Sequence, residues 1–203
     1  MSETSSSGPD REQLREAIRG EYREVAHSPQ KGFHFHTGRR LAGVVEYRDE
    51  WLESVPESVL ESFAGTGNPF SMGLLSSGER VVDLACGAGI DSFIAAAQVG
   101  TSGVVVGIDM TDEMLDKGRR AREVAGIDHL EFRRGYLENV PVEDAWADVV
   151  ISNGSINLSP DKATVFDEIY RVLKPGGCIQ IGDIMVHETV SDKAKADIDL
   201  WTG

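Results

Sequence analysis

Apolar residues follow a helical spacing near the start of the chain. Four of them recur at intervals of three and four residues: Leu14, Ile18, Tyr22 and Val25. This spacing predicts one amphipathic helix over residues 10–28. Residues 29–78 mix aromatic side chains with glycine, proline and short helical patterns. We therefore expect residues 11–78 to form an N-terminal helical cap, or lid, and the polar, serine-rich residues 1–10 to be a disordered tail.

The pattern changes over residues 79–203, where short apolar runs alternate with helical patterns. Five runs predict strands: RVVDLA, VVVGID, LEFRR, ADVVIS and CIQIGDI. Gly100 ends the first helix between them, Thr111 caps the second, and Pro175 and Gly176 end the last. Strands separated by helices form right-handed crossovers, so we expect an α/β fold with a doubly wound, mostly parallel sheet.

Acidic residues dominate the charge of the chain. It has 34 acidic and 20 basic residues and a net charge of −14. Such a surface repels a phosphate backbone, so we expect no nucleic-acid partner. The acidity fits either ordinary solubility or a salt-rich cytoplasm, and the sequence leaves both open.

Hydropathy and cysteine content bear on where the protein works. No apolar run reaches the length of about 18 residues that a membrane span requires, and the first residues lack the apolar core of a signal peptide. Cys86 and Cys178 each lie in or beside a predicted buried strand. We therefore expect a cytoplasmic protein with reduced thiols and no membrane partner.

A glycine turn follows the first predicted strand, and an acid, Asp109, ends the second. Gly87 and Gly89 let the backbone approach a ligand closely, and Asp109 could accept hydrogen bonds from both ribose hydroxyls. A dinucleotide would suit this spacing, but Ser92 occupies the third glycine position of the dinucleotide motif. S-adenosylmethionine fits better, because Asp83 suits its cationic sulfonium and amino groups. A turn without a ligand would leave Asp109 unexplained.

Three motifs resemble those of class I S-adenosylmethionine-dependent methyltransferases. DLACGAG resembles their first motif, GIDMTDEML their second, and LKPGG a sequence before their fifth strand. Within that class, VGIDMTDEMLDKGR, FRRGYLENVPV and VVISNGSINLSPDKATVFDEIYRVLKPGG are similar to the arsenite methyltransferase family. The resemblance extends over about residues 60–187 and implies a Rossmann-like fold with S-adenosylmethionine as cofactor. Ala85 departs from it, since glycine is usual there and the added methyl narrows the turn.

The resemblance also implies where the cofactor binds. It points to ten residues: Asp83, Ala85, Cys86, Gly87, Gly89, Asp109, Met110, Leu137, Glu138 and Asn153. The first five would hold the methionine part, and Asp109 the ribose. Met110 and Leu137 would pack on the adenine beside Glu138, although both could equally be core residues. Asn153 would lie near the amino-acid end and the methyl group.

Two positions depart from the arsenite methyltransferases in a way that concerns the acceptor. Those enzymes hold As(III), a soft centre, with cysteine thiolates. Thr66 and Gly154 stand at two of these cysteine positions. Cys86 in the glycine turn and Cys178 at the fifth strand are interpreted as packing residues. We therefore expect a small-molecule acceptor other than arsenite, which the sequence does not identify.

The cap holds the candidate catalytic residues. His34 and His36 share one face if their segment is extended. They could act as a general base, hydrogen-bond within the cap, or bind a metal; two ligands are too few for a metal site, and we expect none. Tyr22 could cover the methionine end or pack as a core aromatic. We predict that residues 22–40 close over the methyl group and supply the acceptor site, the alternative being aromatic packing behind the sheet.

The sequence beyond the fifth predicted strand is brief. One helical stretch, VSDKAKADIDLW, precedes the last residues, whereas class I domains usually continue with a helix and an antiparallel pair. We expect either a C-terminally shortened sheet whose edge pairs with another copy, giving a homo-oligomer, or a fragment.

Three functions from different classes fit these features. The first is a methyltransferase, since an activated cationic donor needs mainly proximity and alignment. The second is a non-catalytic S-adenosylmethionine-binding module within an oligomer, and the third is a nicotinamide oxidoreductase. We expect the first.

Overall fold

A five-stranded sheet forms the centre of the protein. The computed structural model describes residues 10–191, 194 and 197–202, so most of the predicted tail lies outside the described residues. The strands are β1 (Arg80–Leu84), β2 (Val104–Asp109), β3 (Leu130–Arg134), β4 (Ala147–Asn153) and β5 (Leu173–Gly182). They are all parallel, in the order β3-β2-β1-β4-β5.

Helices cover both faces of this sheet. They are, in chain order, α1 (Arg11–His27), α2 (Gly38–Val44), α3 (Asp49–Leu52), α4 (Glu57–Leu60), α5 (Ile90–Val99), α6 (Asp112–Ala125), α7 (Lys162–Val172) and α8 (Asp199–Thr202). Helices α5 and α6 pack on one face, and α7 on the other. The predicted doubly wound, Rossmann-like parallel fold is confirmed. Within the described residues, no helix is both long and apolar enough to span a membrane.

Strand side chains alternate between two apolar cores. Val81 and Val105 point into the core shared with α5 and α6, whereas Val82 and Val106 point into the core shared with α7. These side chains are fully buried on both faces, as is typical of central strands in parallel sheets.

The cap segment, α1 to α4, packs on the α5–α6 side and shares its core. Asp10 caps the N-terminus of helix α1, where its carboxylate accepts a hydrogen bond from the Gln13 N–H at 2.9 Å. Lys117 of α6 links the main domain to the cap through polar contacts. Its Nζ lies 3.1 Å from the Ala26 carbonyl oxygen and 2.7 Å from Ser62 Oγ, and 2.8 Å from Glu61 Oε1.

The end of the sheet differs from the sequence prediction. Helix α7 ends at Val172 instead of at the Pro-Gly pair, because the backbone of Leu173 is already extended. Strand β5 pairs with β4 through Leu173, bulges, and pairs again from Cys178. Placing Cys178 beside a buried strand was wrong: the residue is exposed because β5 is an edge strand. The last helical stretch lies partly outside the described residues.

Candidate functional site

A cavity lies at the carboxyl ends of β1, β2 and β4, where the order of strands reverses between β1 and β4. This is the usual ligand position in doubly wound sheets. All ten residues predicted to contact the cofactor line it, and Tyr22 of α1 lines it as well. Leu14 and Ile18 of α1 form an apolar wall on the side away from the sheet.

The glycine turn gives the cavity its floor. Gly87 and Gly89 have φ angles of 55° and 100°, and Ala85 has 54°. The positive φ of Ala85 was not predicted from the sequence. A non-glycine residue in this left-handed conformation costs roughly 1–2 kcal/mol of stability. The Cys86 N–H donates to the Ile108 carbonyl at 2.9 Å and so ties the turn to β2.

Asp109 joins β2 to this turn. One carboxylate oxygen accepts from the Gly87 N–H at 2.9 Å, and the other from the Thr111 N–H at 2.8 Å. Burial raises the pKa of Asp109, and the hydrogen bonds from the backbone oppose that rise. Each carboxylate oxygen has a second acceptor position, so the group can also accept from a ligand.

Two further carboxylates lie at the β1–β4 end of the cavity. Asp83 accepts a hydrogen bond from Ser92 Oγ at 2.6 Å. Ser92, which stands where the dinucleotide motif has its third glycine, therefore holds the Asp83 carboxylate. Asp91, the second residue of α5, accepts from Tyr47 Oη at 2.5 Å and from Asn153 Nδ2 at 3.2 Å. Asp91 and Tyr47 were missed by the sequence analysis. The sequence signal for Asp91 was an acidic residue two positions after the glycine turn, in a helix that is otherwise mostly apolar. Nothing in the sequence marked Tyr47.

Burial alters the ionisation of both carboxylates. It raises the pKa of Asp91 to about 6, and it raises the pKa of Asp83 well above its usual range, with the charge of Asp91 adding to the rise. Within the part of the chain that the structure describes, no Lys, Arg or His forms an ion pair with Asp83, Asp91 or Asp109. The cavity thus suits a ligand that brings positive charge, as S-adenosylmethionine does.

Asn153 holds the segment 64–68 against the end of β4. Its Oδ1 accepts from the Thr66 and Gly67 N–H groups at 2.9 and 3.0 Å. Its Nδ2 donates to the Gly67 carbonyl at 2.8 Å and to Tyr47 Oη at 2.9 Å. A Cβ at Gly65 would lie 2.6 Å from this side chain, so the close approach requires glycine.

Thr66 and Gly154, which stand at two cysteine positions of the arsenite methyltransferases, lie next to each other beside the cavity. Gly154 follows β4, and a Cβ built on it would lie 2.9 Å from Thr66 Oγ1. Gly154 also has a φ of 68°. The hydroxyl of Thr66 therefore occupies the space next to residue 154, and neither position provides a thiol.

Helix α1 is joined to the opposite wall. Arg15 lies 3.2 Å from Glu138 and 4.6 Å from the centre of the Tyr136 ring. Ser159 Oγ donates to the other oxygen of Glu138 at 2.7 Å. Both Glu138 oxygens are thus bound to protein groups, which fixes the carboxylate at the edge of the cavity.

The candidate catalytic residues separate into two groups. Tyr22 lines the cavity, and burial, with the charge of Asp109 second, raises its pKa to about 12. His34 and His36 are exposed and outside the cavity lining, and His34 Nδ1 lies 3.3 Å from Glu21. Phe33 and Phe35, which alternate with the histidines, pack against the core instead. The structure does not bring the histidines to the cavity.

Comparisons with known proteins agree with this geometry. A family model described as a methyltransferase domain matches residues 75–202. An arsenite methyltransferase of Halobacterium salinarum is 44% identical over 139 residues, which are 68% of this chain and 36% of the relative. One of Mus musculus is 32% identical over 171 residues, 80% of this chain and 45% of the relative.

A solved structure extends the comparison. The crystal structure of an arsenic (III) S-adenosylmethionine methyltransferase from Chlamydomonas reinhardtii matches with a TM-score of 0.66 and 39% identity, covering 71% of this chain and 51% of that chain. This chain therefore spans only about a third to a half of the length of the relatives it matches.

Proposed function

The chain belongs to the methyltransferase domain family, whose cofactor is S-adenosylmethionine, and from this premise we propose that it transfers a methyl group to a small-molecule acceptor. One observation carries the proposal: the glycine turn, Asp109 and the other predicted contacts line a single cavity at the switch in strand order. When bound, the cofactor supplies a methyl group on a positively charged sulfur.

In this proposal the residues of the chain bind and orient the cofactor and shield it from water. Asp109 accepts from the ribose hydroxyls, and Asp83 faces the cationic methionine end. Leu14, Ile18 and Tyr22 of α1 exclude water from the cavity. Fixing the reactants in line supplies much of the rate in methyl transfer, so the site needs few groups that exchange protons.

Calorimetry separates this function from its alternatives. We expect the purified protein to bind S-adenosylmethionine and S-adenosylhomocysteine but not NAD. Binding together with methyl transfer to any nucleophile in a small-molecule pool supports an enzyme. Binding without transfer would favour the non-catalytic module, and binding of NAD alone would favour an oxidoreductase.

The acceptor site lies, in our proposal, between the segment 64–68 and Gly154. These residues adjoin Asn153 at the β1–β4 end of the cavity, where the methionine part is expected. Thr66 offers a hydroxyl, and Gly154 only backbone groups. Hard ligands of this kind suit an oxygen or nitrogen compound better than a soft metalloid.

We expect arsenite to be a poor acceptor. With arsenite, a thiol reductant and S-adenosylmethionine, the protein should form methylated arsenic far more slowly than the arsenite methyltransferases do, because Thr66 and Gly154 lack thiolates. Chromatography with elemental detection of arsenic measures the product, and the H. salinarum relative serves as parallel control. Methylation at a rate comparable to that relative would contradict the assignment and turn attention to Cys86.

Self-association through the sheet edge remains a prediction. Strand β5 pairs with β4 on one side, and its Cys178 and Ile179 are exposed. An unpaired strand edge is a template for pairing with a second copy. We expect sedimentation velocity to give a dimer whose dissociation accompanies an Ile179→Lys substitution. A monomeric wild-type protein would rule this out.

A further inference from the structure

Asp91 is a buried carboxylate in the cavity for which the family resemblance suggests no role. It is 4% exposed and lies beside Asp83, which is 1% exposed. Removing a carboxylate from water costs several kcal/mol unless a cation or hydrogen bonds compensate it. Two such groups in one cavity require an explanation.

Three elements fix the Asp91 carboxylate in place. Tyr47, between α2 and α3, donates to one oxygen and Asn153 of β4 to the other, while α5 carries the residue itself. The groups facing it are therefore the Tyr47 hydroxyl, the Asn153 amide and the Asp83 carboxylate of β1. These hydrogen bonds hold the group, but they bring no positive charge.

The arginine in the cavity lining pairs with a different carboxylate. Arg15 lines the cavity but pairs with Glu138, which lies in the connection between β3 and β4. Within the described residues, Asp83 and Asp91 thus form no ion pair. The positive charge that would match them has to come from a bound molecule.

We infer that Asp91 is a second carboxylate of the cofactor site, which binds the positively charged methionine end of S-adenosylmethionine together with Asp83. This inference rests on the proposed function. The methionine end of the ligand carries two positive charges, on its amino group and its sulfur, and one negative charge on its own carboxylate, so it brings a net positive charge to Asp83 and Asp91. Tyr47 and Asn153 are positioning residues, because they act on the ligand through Asp91.

Proton release on binding follows from this arrangement. Without ligand, burial holds the pKa of Asp91 at about 6, so the group is partly protonated near that pH. A bound cation lowers the pKa, because it favours the charged form. Asp91 therefore releases protons on binding near pH 6, and its contribution decreases towards pH 7.5, where it is already ionised; Asp83, whose pKa is raised further, adds a contribution of its own.

Calorimetry in buffers of different ionisation enthalpy measures both affinity and proton release. We expect Asp91→Asn to bind S-adenosylmethionine at least about tenfold more weakly and to release fewer protons at pH 6. Asp167→Asn, the same change at an exposed site on α7, should behave as wild type. Unchanged affinity and proton release in Asp91→Asn would overturn the inference.

Tyr47→Phe gives a second, milder test. The Tyr47 hydrogen bond lowers the pKa of Asp91, so its loss raises that pKa and moves proton release to higher pH. A merely structural role of Tyr47 would leave the pH dependence of proton release in place. The test does not require Asp91→Asn to fold.

Wild-type binding distinguishes this inference from the proposed function. If the wild-type protein does not bind S-adenosylmethionine, the proposed function fails. If it binds and the variants behave as wild type, only the role of Asp91 fails. S-adenosylhomocysteine keeps the amino group but has a neutral sulfur. Equal losses for both ligands would place Asp91 at the amino group, and a larger loss for S-adenosylmethionine at the sulfur; both outcomes support the inference.

Discussion

Replacing Asp109 with alanine is expected to weaken S-adenosylmethionine binding by roughly 30- to 150-fold, the equivalent of about 2–3 kcal/mol. The carboxylate anchors the Gly87 and Thr111 N–H groups and has acceptor positions left for two ribose hydroxyls. Alanine removes all of these acceptors at once. Titration calorimetry measures the affinity, and circular dichroism shows whether the fold is retained.

Two variants act as controls for this result. Asp109→Asn keeps the size and one oxygen acceptor, so its loss should be smaller. Asp112→Ala removes a more exposed carboxylate three residues away, which pairs with Arg134 at 3.0 Å, and should bind as wild type. Wild-type affinity in Asp109→Ala, with the fold intact, would remove Asp109 from the ribose site.

Gly89→Ala is expected to destabilise the protein by about 2–5 kcal/mol. The residue has a φ of 100°, and a Cβ on it would lie 2.6 Å from Cζ of Phe132. Phe132 is buried between β3 and the α5–α6 side, so its ring has little room to move. Urea denaturation followed by tryptophan fluorescence gives the change in the free energy of unfolding.

Gly87→Ala separates backbone strain from this steric contact. Gly87 has a φ of 55°, and nothing lies within 4 Å of a Cβ built on it. Only the conformational cost of roughly 1–2 kcal/mol remains. If the free energy of unfolding falls by the same amount in both variants, the Phe132 ring moves aside at little cost and the steric argument at Gly89 is wrong.

The succession of strands and helices along the chain could be predicted because the local spacing of apolar residues determines it. The apolar runs predicted the strands, and Gly100 predicted the end of α5, which it caps. Asp83, Asp109 and Asn153 could be placed together for a topological reason. Parallel strands end at the same edge of the sheet, so residues at their carboxyl ends converge.

Contacts between distant segments could not be predicted. Tyr47 and Asp91 are 44 residues apart and meet through one hydrogen bond, which leaves no periodic trace in the sequence. The sequence placed His34 and His36 on one face of an extended segment, but it did not say where that face points. Which face meets the cavity depends on how the cap packs, and here the phenylalanines turn inward.

Helix α1 covers one side of the cavity, so we expect its movement to limit how fast molecules enter and leave. Three ion pairs hold it across the opening: Arg11–Asp161, Arg15–Glu138 and Arg23–Glu113. These pairs are partly exposed, so dissolved salt screens them, while the apolar contacts of Leu14 and Ile18 are not screened. The rate constants for cofactor entry and product departure should therefore increase together with ionic strength. The residence time of the product would then depend on the surrounding salt, whatever the speed of methyl transfer itself.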